Sequence, residues 1–372
     1  MKGITAAFWA IATLMVVSCS KDNTKLPDYL IPDSYSFSKQ DSLNAKGILS
    51  MMWQVEMEME KGNIRGTAVS GDKLKNMYAN VGGYFTDTVF RGYRADTVYR
   101  YDTVRLDSLK FSLQFLTLAA AQPLLTAVMD SIAVASAAGQ VAANGVAGVS
   151  DAGTLLGGNG IYWRQYFKTL AMGVLMAHQI QDVYLGDTLN YAVLLESRVN
   201  VWDRAYFMWG VSAGFPVTMD LQYWASYMNA VDSGIARPVV ATQFHANDTL
   251  FTAFVRGRAG LTSNDVAFAR LQGRTIIVYF ERMEAAAALH TINQAKANLS
   301  SSVAKMAGSL SESLGFWRSL QFNTSKRISD ADYQEVLSLY GTNFYEMTGD
   351  GLDALRDKIS SIYGWDAIKG NL

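Results

Sequence analysis

Apolar residues recur at intervals of three and four along most of the chain, which is the period of an amphipathic helix. The clearest run follows Ser42, and its apolar members are Leu43, Ile48, Met51, Met52, Val55 and Met59. The same spacing predicts further helices at 72–80, 108–138, 161–183, 189–211, 264–299, 301–322, 330–340 and 350–363. Pro123 is expected to kink the helix over 108–138. We therefore predict an all-α fold.

Three segments depart from this period. The triplet Asp-Thr-Val begins at Asp87, Asp96 and Asp102 among alternating aromatic and charged residues, which predicts a small irregular or hairpin insertion near 84–107. Residues 140–160 are rich in Gly and Ala, which favours a mobile loop over the alternative, a loop that orders over a ligand. Prolines and glycines interrupt residues 215–262, where no continuous helix is expected.

Two long helix pairs share weak internal similarity. The first helix of each pair carries a Tyr-Phe step, at 166–167 and 279–280, followed by a histidine, His178 or His290. A duplication would explain the similarity, and so would shared amphipathicity. We predict two bundle-like halves related by pseudo-symmetry, an N-terminal half at 41–215 and a C-terminal half at 216–372.

The N-terminus has the features of a lipoprotein export signal. Lys2 precedes an apolar stretch from Ile4 to Val17, and small residues lead to Cys19. We predict that residues 1–18 are removed, that Cys19 is lipidated, and that polar residues 19–40 form a tether. A plain secreted protein with a free cysteine is the alternative. Ser20 after the cysteine favours the outer membrane, with the protein on its periplasmic side or at the cell surface.

The composition excludes several classes of protein. The 32 Lys and Arg residues nearly balance 33 Asp and Glu residues, and no basic run occurs, which argues against nucleic acid as a partner. Cys19 is the single cysteine, so a lipidated chain has no thiol left for a disulfide, a thiolate metal site or a nucleophile.

Several motifs are candidates for chemistry. Residues 210–214 match the Gly-x-Ser-x-Gly nucleophile elbow, but they follow a predicted helix, whereas the elbow needs a turn from a strand into a helix. His178 and Asp182 lie four residues apart on one helix face and are weak candidates for metal ligands. Glu281 and Glu284 have a spacing that can direct two carboxylates into a bundle, although salt bridges to neighbouring arginines are the simpler interpretation.

An aromatic stripe recurs at helical spacing on two consecutive segments. Its members are Trp202, Tyr206 and Trp209, followed by Tyr223, Trp224 and Tyr227. Aromatic faces can stack on sugars, but such a stripe is more often packed in a core.

Several segments, taken in order, resemble the imelysin-like bacterial lipoproteins, in a branch of undefined function. They are Tyr35-Ser36-Phe37, residues 72–80, residues 201–207, residues 308–313 and Leu320-Gln321-Phe322. The resemblance implies an all-helical fold of two pseudo-symmetric halves with a site in the cleft between them. It also implies an envelope role in iron or other metal acquisition, and a peptidase activity in the wider family.

This chain departs from the pattern that the resemblance implies. Where relatives carry His-x-x-Glu, this chain has Val201, Trp202, Asp203 and Arg204; in the second half Glu312 remains, whereas the expected histidine is Gly308. We predict no cofactor, and no tight metal site at 201–204.

These features together favour a non-enzymatic, membrane-anchored lipoprotein that binds a small ligand or a partner, such as an envelope transporter, in uptake. A peptidase or a metal-binding protein of iron acquisition is the alternative. The cleft residues predicted for the site are Val201, Trp202, Asp203, Arg204 and Glu312.

Overall fold

A computed structural model describes residues 27–372, apart from Ser38, 93–99, 192–193, Ala213, 218–219 and 236–243. The predicted signal peptide, the predicted lipidation site Cys19 and the first part of the predicted tether lie outside the described residues. Residues 31–372 form one compact unit. The division into halves at 215/216 and the pseudo-symmetry stay predictions.

Most of the described chain is helical, as the three- and four-residue periodicity predicted. The α-helices, in chain order, are α1 (Lys39–Glu60), α2 (Gly71–Tyr78), α3 (Leu113–Leu116), α4 (Gln122–Ala137), α5 (Trp163–Ala171), α6 (Leu189–Tyr191), α7 (Leu195–Met208), α8 (Tyr223–Ile235), α9 (Ala246–Thr262), α10 (Val266–Asn298), α11 (Val303–Ser319), α12 (Asp330–Leu339) and α13 (Gly349–Tyr363).

Side-chain caps explain where several of these helices begin. The hydroxyl of Ser302 accepts the backbone N–H of Lys305 at the start of α11, and Ser329 caps α12 in the same way. Asp265 caps α10 through its carboxylate. Each cap satisfies an N–H group that has no partner within the helix.

The longest helix, α10, lies in the middle of the core and packs against α9, α11 and α13. Ala285, Ala286, Ala287 and Ala288 are fully buried along it. Because alanine has no side chain beyond Cβ, neighbouring helices can approach α10 closely at this level. The aromatic side chains Trp224 and Phe316 fill the space beside it, with ring centroids 5.3 Å apart.

Beyond Ala171 the α5 helix continues in π geometry over Met172–Ala177 and Gln179–Thr188. Gly173 lies in the first π stretch, where an added Cβ would be 2.1 Å from Cβ of Ser319. The close approach of α11 therefore requires glycine here. The predicted helix over 161–183 is correct in position but ends later than expected.

The segment 215–262 is more regular than the sequence predicted, because α8 and α9 lie within it. Gly257 lies inside α9, and a Cβ there would be 2.0 Å from the indole of Trp202. Glycine is tolerated in this helix because it lets α9 pack directly on the indole. Its presence therefore marks close packing, whereas we had expected a break.

Two small antiparallel sheets accompany the helices. β1 (Thr88–Gly92) pairs with β2 (Arg100–Val104), which confirms a hairpin in the predicted insertion. β3 (Gly148–Val149) pairs with β4 (Leu155–Leu156) in the segment predicted as a mobile loop, and its leucines are buried. Burial of these side chains gives that segment a fixed place in the fold.

Pro123 is the second residue of α4, whereas the sequence predicted a kink within one long helix. The first turn is where proline costs least, because its missing N–H would have no helical partner there. The run Ala119–Ala137 has the length and hydropathy of a membrane span. Its residues Leu125, Met129 and Ile132 are buried, the pattern of a helix with one face on a protein core.

Candidate functional site

An open cavity of about 530 Å³ lies where α1, α5 and the start of α8 meet. This volume is in the range of small-molecule sites, roughly 300–1,000 Å³. The residues that line it are Leu49, Ser50, Trp53, Glu56, Arg164, Lys168, Leu221, Gln222, Tyr223 and Ser226. We call this cavity the α1–α5 pocket.

Helical spacing brings the main polar groups of the pocket together. Trp53 and Glu56 are three residues apart on α1, and Arg164 and Lys168 are four apart on α5. Residues at these separations share one face of a helix. Two helices that pack face to face therefore present a carboxylate and two cations to the same cavity.

Glu56 is the buried carboxylate of the pocket, with 4% of its surface exposed. The Tyr223 hydroxyl donates to its Oε1 at 3.0 Å, and Nη2 of Arg164 lies 3.8 Å from its Oε2. Burial raises the pKa of Glu56, although the positive charges of Lys168 and Arg164 partly offset that effect. The carboxylate is thus desolvated and only loosely paired.

A second carboxylate, that of the half-buried Glu312 on α11, interacts with the same cations. The Lys168 ammonium donates to the Tyr227 hydroxyl at 3.0 Å, and that hydroxyl hydrogen-bonds Glu312. Burial raises the pKa of Glu312, and the charges of Lys168 and Arg164 lower it. Glu312, which the resemblance indicated as a site residue, is therefore linked to the pocket through Lys168 and Tyr227.

Tyr223 holds an unusual backbone conformation at the edge of the pocket. Its φ is 46°, in the left-handed region that a bulky residue seldom adopts. Such a conformation costs on the order of 1–3 kcal/mol and persists only where surrounding contacts enforce it. Here the hydroxyl bonds to Glu56 and to the Leu49 carbonyl accompany it. Strain of this kind is typical of binding and active sites.

The charged and aromatic groups of the α1–α5 pocket determine which ligands it can bind. Arg164, Lys168 and the desolvated carboxylate of Glu56 offer donors and acceptors within one cavity, and Glu312 lies behind them. Trp53 adds an indole that is 55% exposed. The pocket can therefore hydrogen-bond a polar ligand and contact its apolar face. Glu56 and Glu312 can also exchange protons at a higher pH than ordinary glutamates, because burial disfavours their charged forms.

A family model described as a domain of unknown function, DUF4856, matches residues 32–365. The chain belongs to the DUF4856 family. The matched region contains the whole α1–α5 pocket and excludes the predicted signal peptide and Cys19. No curated protein and no solved structure matches the chain significantly.

The DUF4856 fold places Val201, Trp202, Asp203 and Arg204 on α7, and none of them is among the lining residues of the α1–α5 pocket. Val201 and Trp202 are buried in the core, and Arg204 is half-buried. Asp203 is fully buried and bonds to Tyr35 and Arg258, whereas the groups that interact with Glu312 are Lys168, Arg164 and Tyr227. Among the described residues, Asp203 and Glu312 therefore have different polar partners.

The candidate metal ligands His178 and Asp182 bind each other. Nδ1 of His178 lies 2.7 Å from Oδ2 of Asp182, and the Thr324 hydroxyl donates to the other carboxylate oxygen at 2.5 Å. In the part of the chain that the structure describes, no three His, Cys, Asp or Glu side chains are grouped so that they could hold a metal ion.

Glu281 and Glu284 on α10 hold other parts of the DUF4856 core in place. Glu281 accepts the backbone N–H groups of Arg327 and Ile328, where the sequence had favoured salt bridges to arginine. Glu284 accepts hydrogen bonds from Ser319 and Asn323, and burial raises its pKa to about 8. Both carboxylates have structural partners and lie outside the pocket lining.

Two further motifs have structural explanations. The Gly-x-Ser-x-Gly match at 210–214 follows α7, so the strand that a nucleophile elbow needs does not precede it. Trp202, Tyr206, Trp209 and Trp224 of the aromatic stripe are fully buried, as expected for a core.

The sequence did not identify Trp53, Glu56, Arg164 or Lys168 as site residues. One signal was available, since Glu56 lies four residues after Met52 on the apolar face of α1. A charged residue on such a face needs a partner or a function.

Proposed function

We propose that this protein is a lipid-anchored, non-enzymatic binding protein of the cell envelope that holds a small polar ligand in the α1–α5 pocket. One observation carries the proposal: the desolvated Glu56, the cations Arg164 and Lys168 and the exposed indole of Trp53 line one open cavity. Convergent polar groups in a preformed cavity, with perturbed pKa values, are the usual signs of a binding site.

The envelope location rests on the sequence. The export signal at 1–18 and the cysteine at its end support lipidation at Cys19, and Ser20 supports the outer membrane. The imelysin-like resemblance supports a role in uptake, with an envelope transporter as the partner that receives the ligand. The near-zero net charge gives no support for nucleic acid as a ligand.

The pocket gives less support to the alternatives. The carboxylates of Glu56 and Glu312 already interact with Arg164 and Lys168, which disfavours binding of a divalent cation at this site. A peptidase needs a nucleophile with a base, or a metal-bound water. The pocket has the hydroxyls of Ser50 and Ser226, but none of the three histidines of the chain lines it.

A thermal-shift screen of the full-length chain in detergent tests the proposal. The panel contains neutral sugars, amino acids and dipeptides, and dicarboxylates. We expect at least one class to raise the melting temperature, and Lys168→Met and Glu56→Gln to abolish the rise. Lys305→Met and Glu196→Gln are the matched controls, because both side chains are exposed outside the pocket. A panel without any stabilising compound, or equal stabilisation of the pocket variants, would overturn the proposal.

A further inference from the structure

We infer that the ligand of the α1–α5 pocket is an uncharged carbohydrate, an inference that rests on the binding function proposed above. Three features of the pocket lead to it: its internal charge balance, the chemistry of its uncharged lining and the exposure of one tryptophan.

The charges in and behind the pocket compensate one another. Nη2 of Arg164 lies 3.8 Å from Glu56 and 3.6 Å from Glu60. Lys168 interacts with the buried Glu56 and with the half-buried Glu312. These three carboxylates and two cations leave a net charge of at most about one unit, so the pocket offers a charged ligand little net attraction. Such a ligand would also lose its hydration on entering the pocket. An uncharged ligand avoids this cost.

The uncharged side chains of the lining suit hydroxyl groups. Ser50, Gln222 and Ser226 line the cavity with side chains that both donate and accept hydrogen bonds. A sugar hydroxyl also donates and accepts at once, so it can bond to a carboxylate such as Glu56 and to a cation such as Arg164 at the same time. The mixed donors and acceptors of this pocket match a ligand with several such hydroxyls.

Trp53 supplies the apolar surface that a sugar ring requires. The tryptophans of the core, among them Trp202, Trp224 and Trp317, are fully buried, whereas Trp53 is 55% exposed at the pocket. The face of an indole carries negative partial charge, which attracts the weakly positive C–H groups on one face of a pyranose ring. The indole can therefore contact the C–H face of a sugar ring while the neighbouring polar side chains hydrogen-bond its hydroxyl groups.

Isothermal titration of the full-length chain in detergent tests the ligand class, with cellobiose and maltose compared with glycylglycine and succinate. We expect a disaccharide to bind with an affinity that is unchanged between about 50 mM and about 500 mM salt, because an uncharged ligand is not screened. Trp53→Ala should weaken binding by about tenfold, and Trp53→Phe should weaken it less. Circular dichroism of each variant verifies that the fold is retained.

The possible results separate this inference from the proposed function. Binding of glycylglycine or succinate without either disaccharide would overturn the carbohydrate inference and leave a binding function intact. Disaccharide binding that Trp53→Ala does not weaken would also overturn it. If no compound binds, the proposed function fails together with the inference.

Discussion

Arg258 of α9 and Asp203 of α7 form a two-pronged ion pair in the core. Nε of Arg258 donates to Oδ1 of Asp203 at 2.7 Å, and Nη2 donates to Oδ2 at 3.2 Å. The Tyr35 hydroxyl donates to the same carboxylate at 2.7 Å, and the Tyr35 ring stacks on Tyr206 with 3.7 Å between ring centroids. This ion pair therefore fixes the segment before α1 to the helical body.

Asp203→Asn should lower the free energy of unfolding by about 3–5 kcal/mol, because it leaves the guanidinium of Arg258 without its charge partner in a largely buried position. Urea denaturation measures the loss. Asp151→Asn is the matched control, since the Asp151 side chain is 93% exposed in its pair with Arg65 and should contribute less than about 1 kcal/mol. Equal losses in the two variants would refute the structural role of Asp203.

The helical fold followed from the sequence, but several local features did not. The period of apolar residues located α1, α10 and α11 within a few residues. At Gly257 the sequence predicted a break, whereas α9 continues through this residue. The glycine is needed there because Trp202 of α7 packs directly on α9, a contact that the spacing of apolar residues does not reveal. Pro123 was placed inside a helix for a similar reason, since periodicity does not show where a helix starts.

The site was harder to predict than the fold. Glu312 was identified through the imelysin-like resemblance, and it interacts with Lys168 of the pocket. Trp53, Glu56 and Arg164 were missed because their proximity depends on how α1 packs against α5, which the spacing along either helix does not contain. Asp203 was predicted as a cleft residue, and in the structure its carboxylate pairs with Arg258.

Glu284 should make stability fall as the pH rises. Burial raises its pKa to about 8 in the folded protein, from an ordinary value of 4.5. The folded state therefore holds its proton more tightly than the unfolded state does. The stabilisation is complete below about pH 4.5 and is lost as the pH rises through about 8, at up to about 1.4 kcal/mol per pH unit.

Urea denaturation between pH 5 and pH 9 measures this dependence. Glu284→Gln should flatten it, because a neutral amide can keep the hydrogen-bonding contacts without titrating. Glu196→Gln, at an exposed position on α7, should leave the slope unchanged. A slope in Glu284→Gln equal to that of the natural chain would contradict the role assigned to burial.

Cys19→Ser should release the protein from membranes. Cys19 follows Val16-Val17-Ser18 and is the single cysteine, so no other thiol can receive a diacylglycerol. Metabolic labelling with a radioactive fatty acid should mark the natural chain and leave the variant unlabelled. A variant that stays membrane-bound and labelled would place the anchor elsewhere.

Transition metals should bind weakly or not at all at residues 201–204. Val201 offers no donor atom, and the Asp203 carboxylate is already held by Arg258. Isothermal titration with ferrous, ferric, zinc and copper ions should therefore detect no sub-micromolar binding there. Tight binding that Asp203→Ala abolishes and His178→Ala retains, with unchanged circular dichroism, would make metal uptake the leading function.

The most direct test of the central claim, that the α1–α5 pocket binds a ligand, is fluorine nuclear magnetic resonance of the full-length chain labelled with 5-fluorotryptophan. The Trp53 resonance is assigned by its absence in Trp53→Phe. A compound that stabilises the chain should shift this resonance and leave those of the buried Trp202 and Trp317 in place, and Lys168→Met should abolish the shift. A Trp53 resonance that does not respond to any stabilising compound would contradict the account.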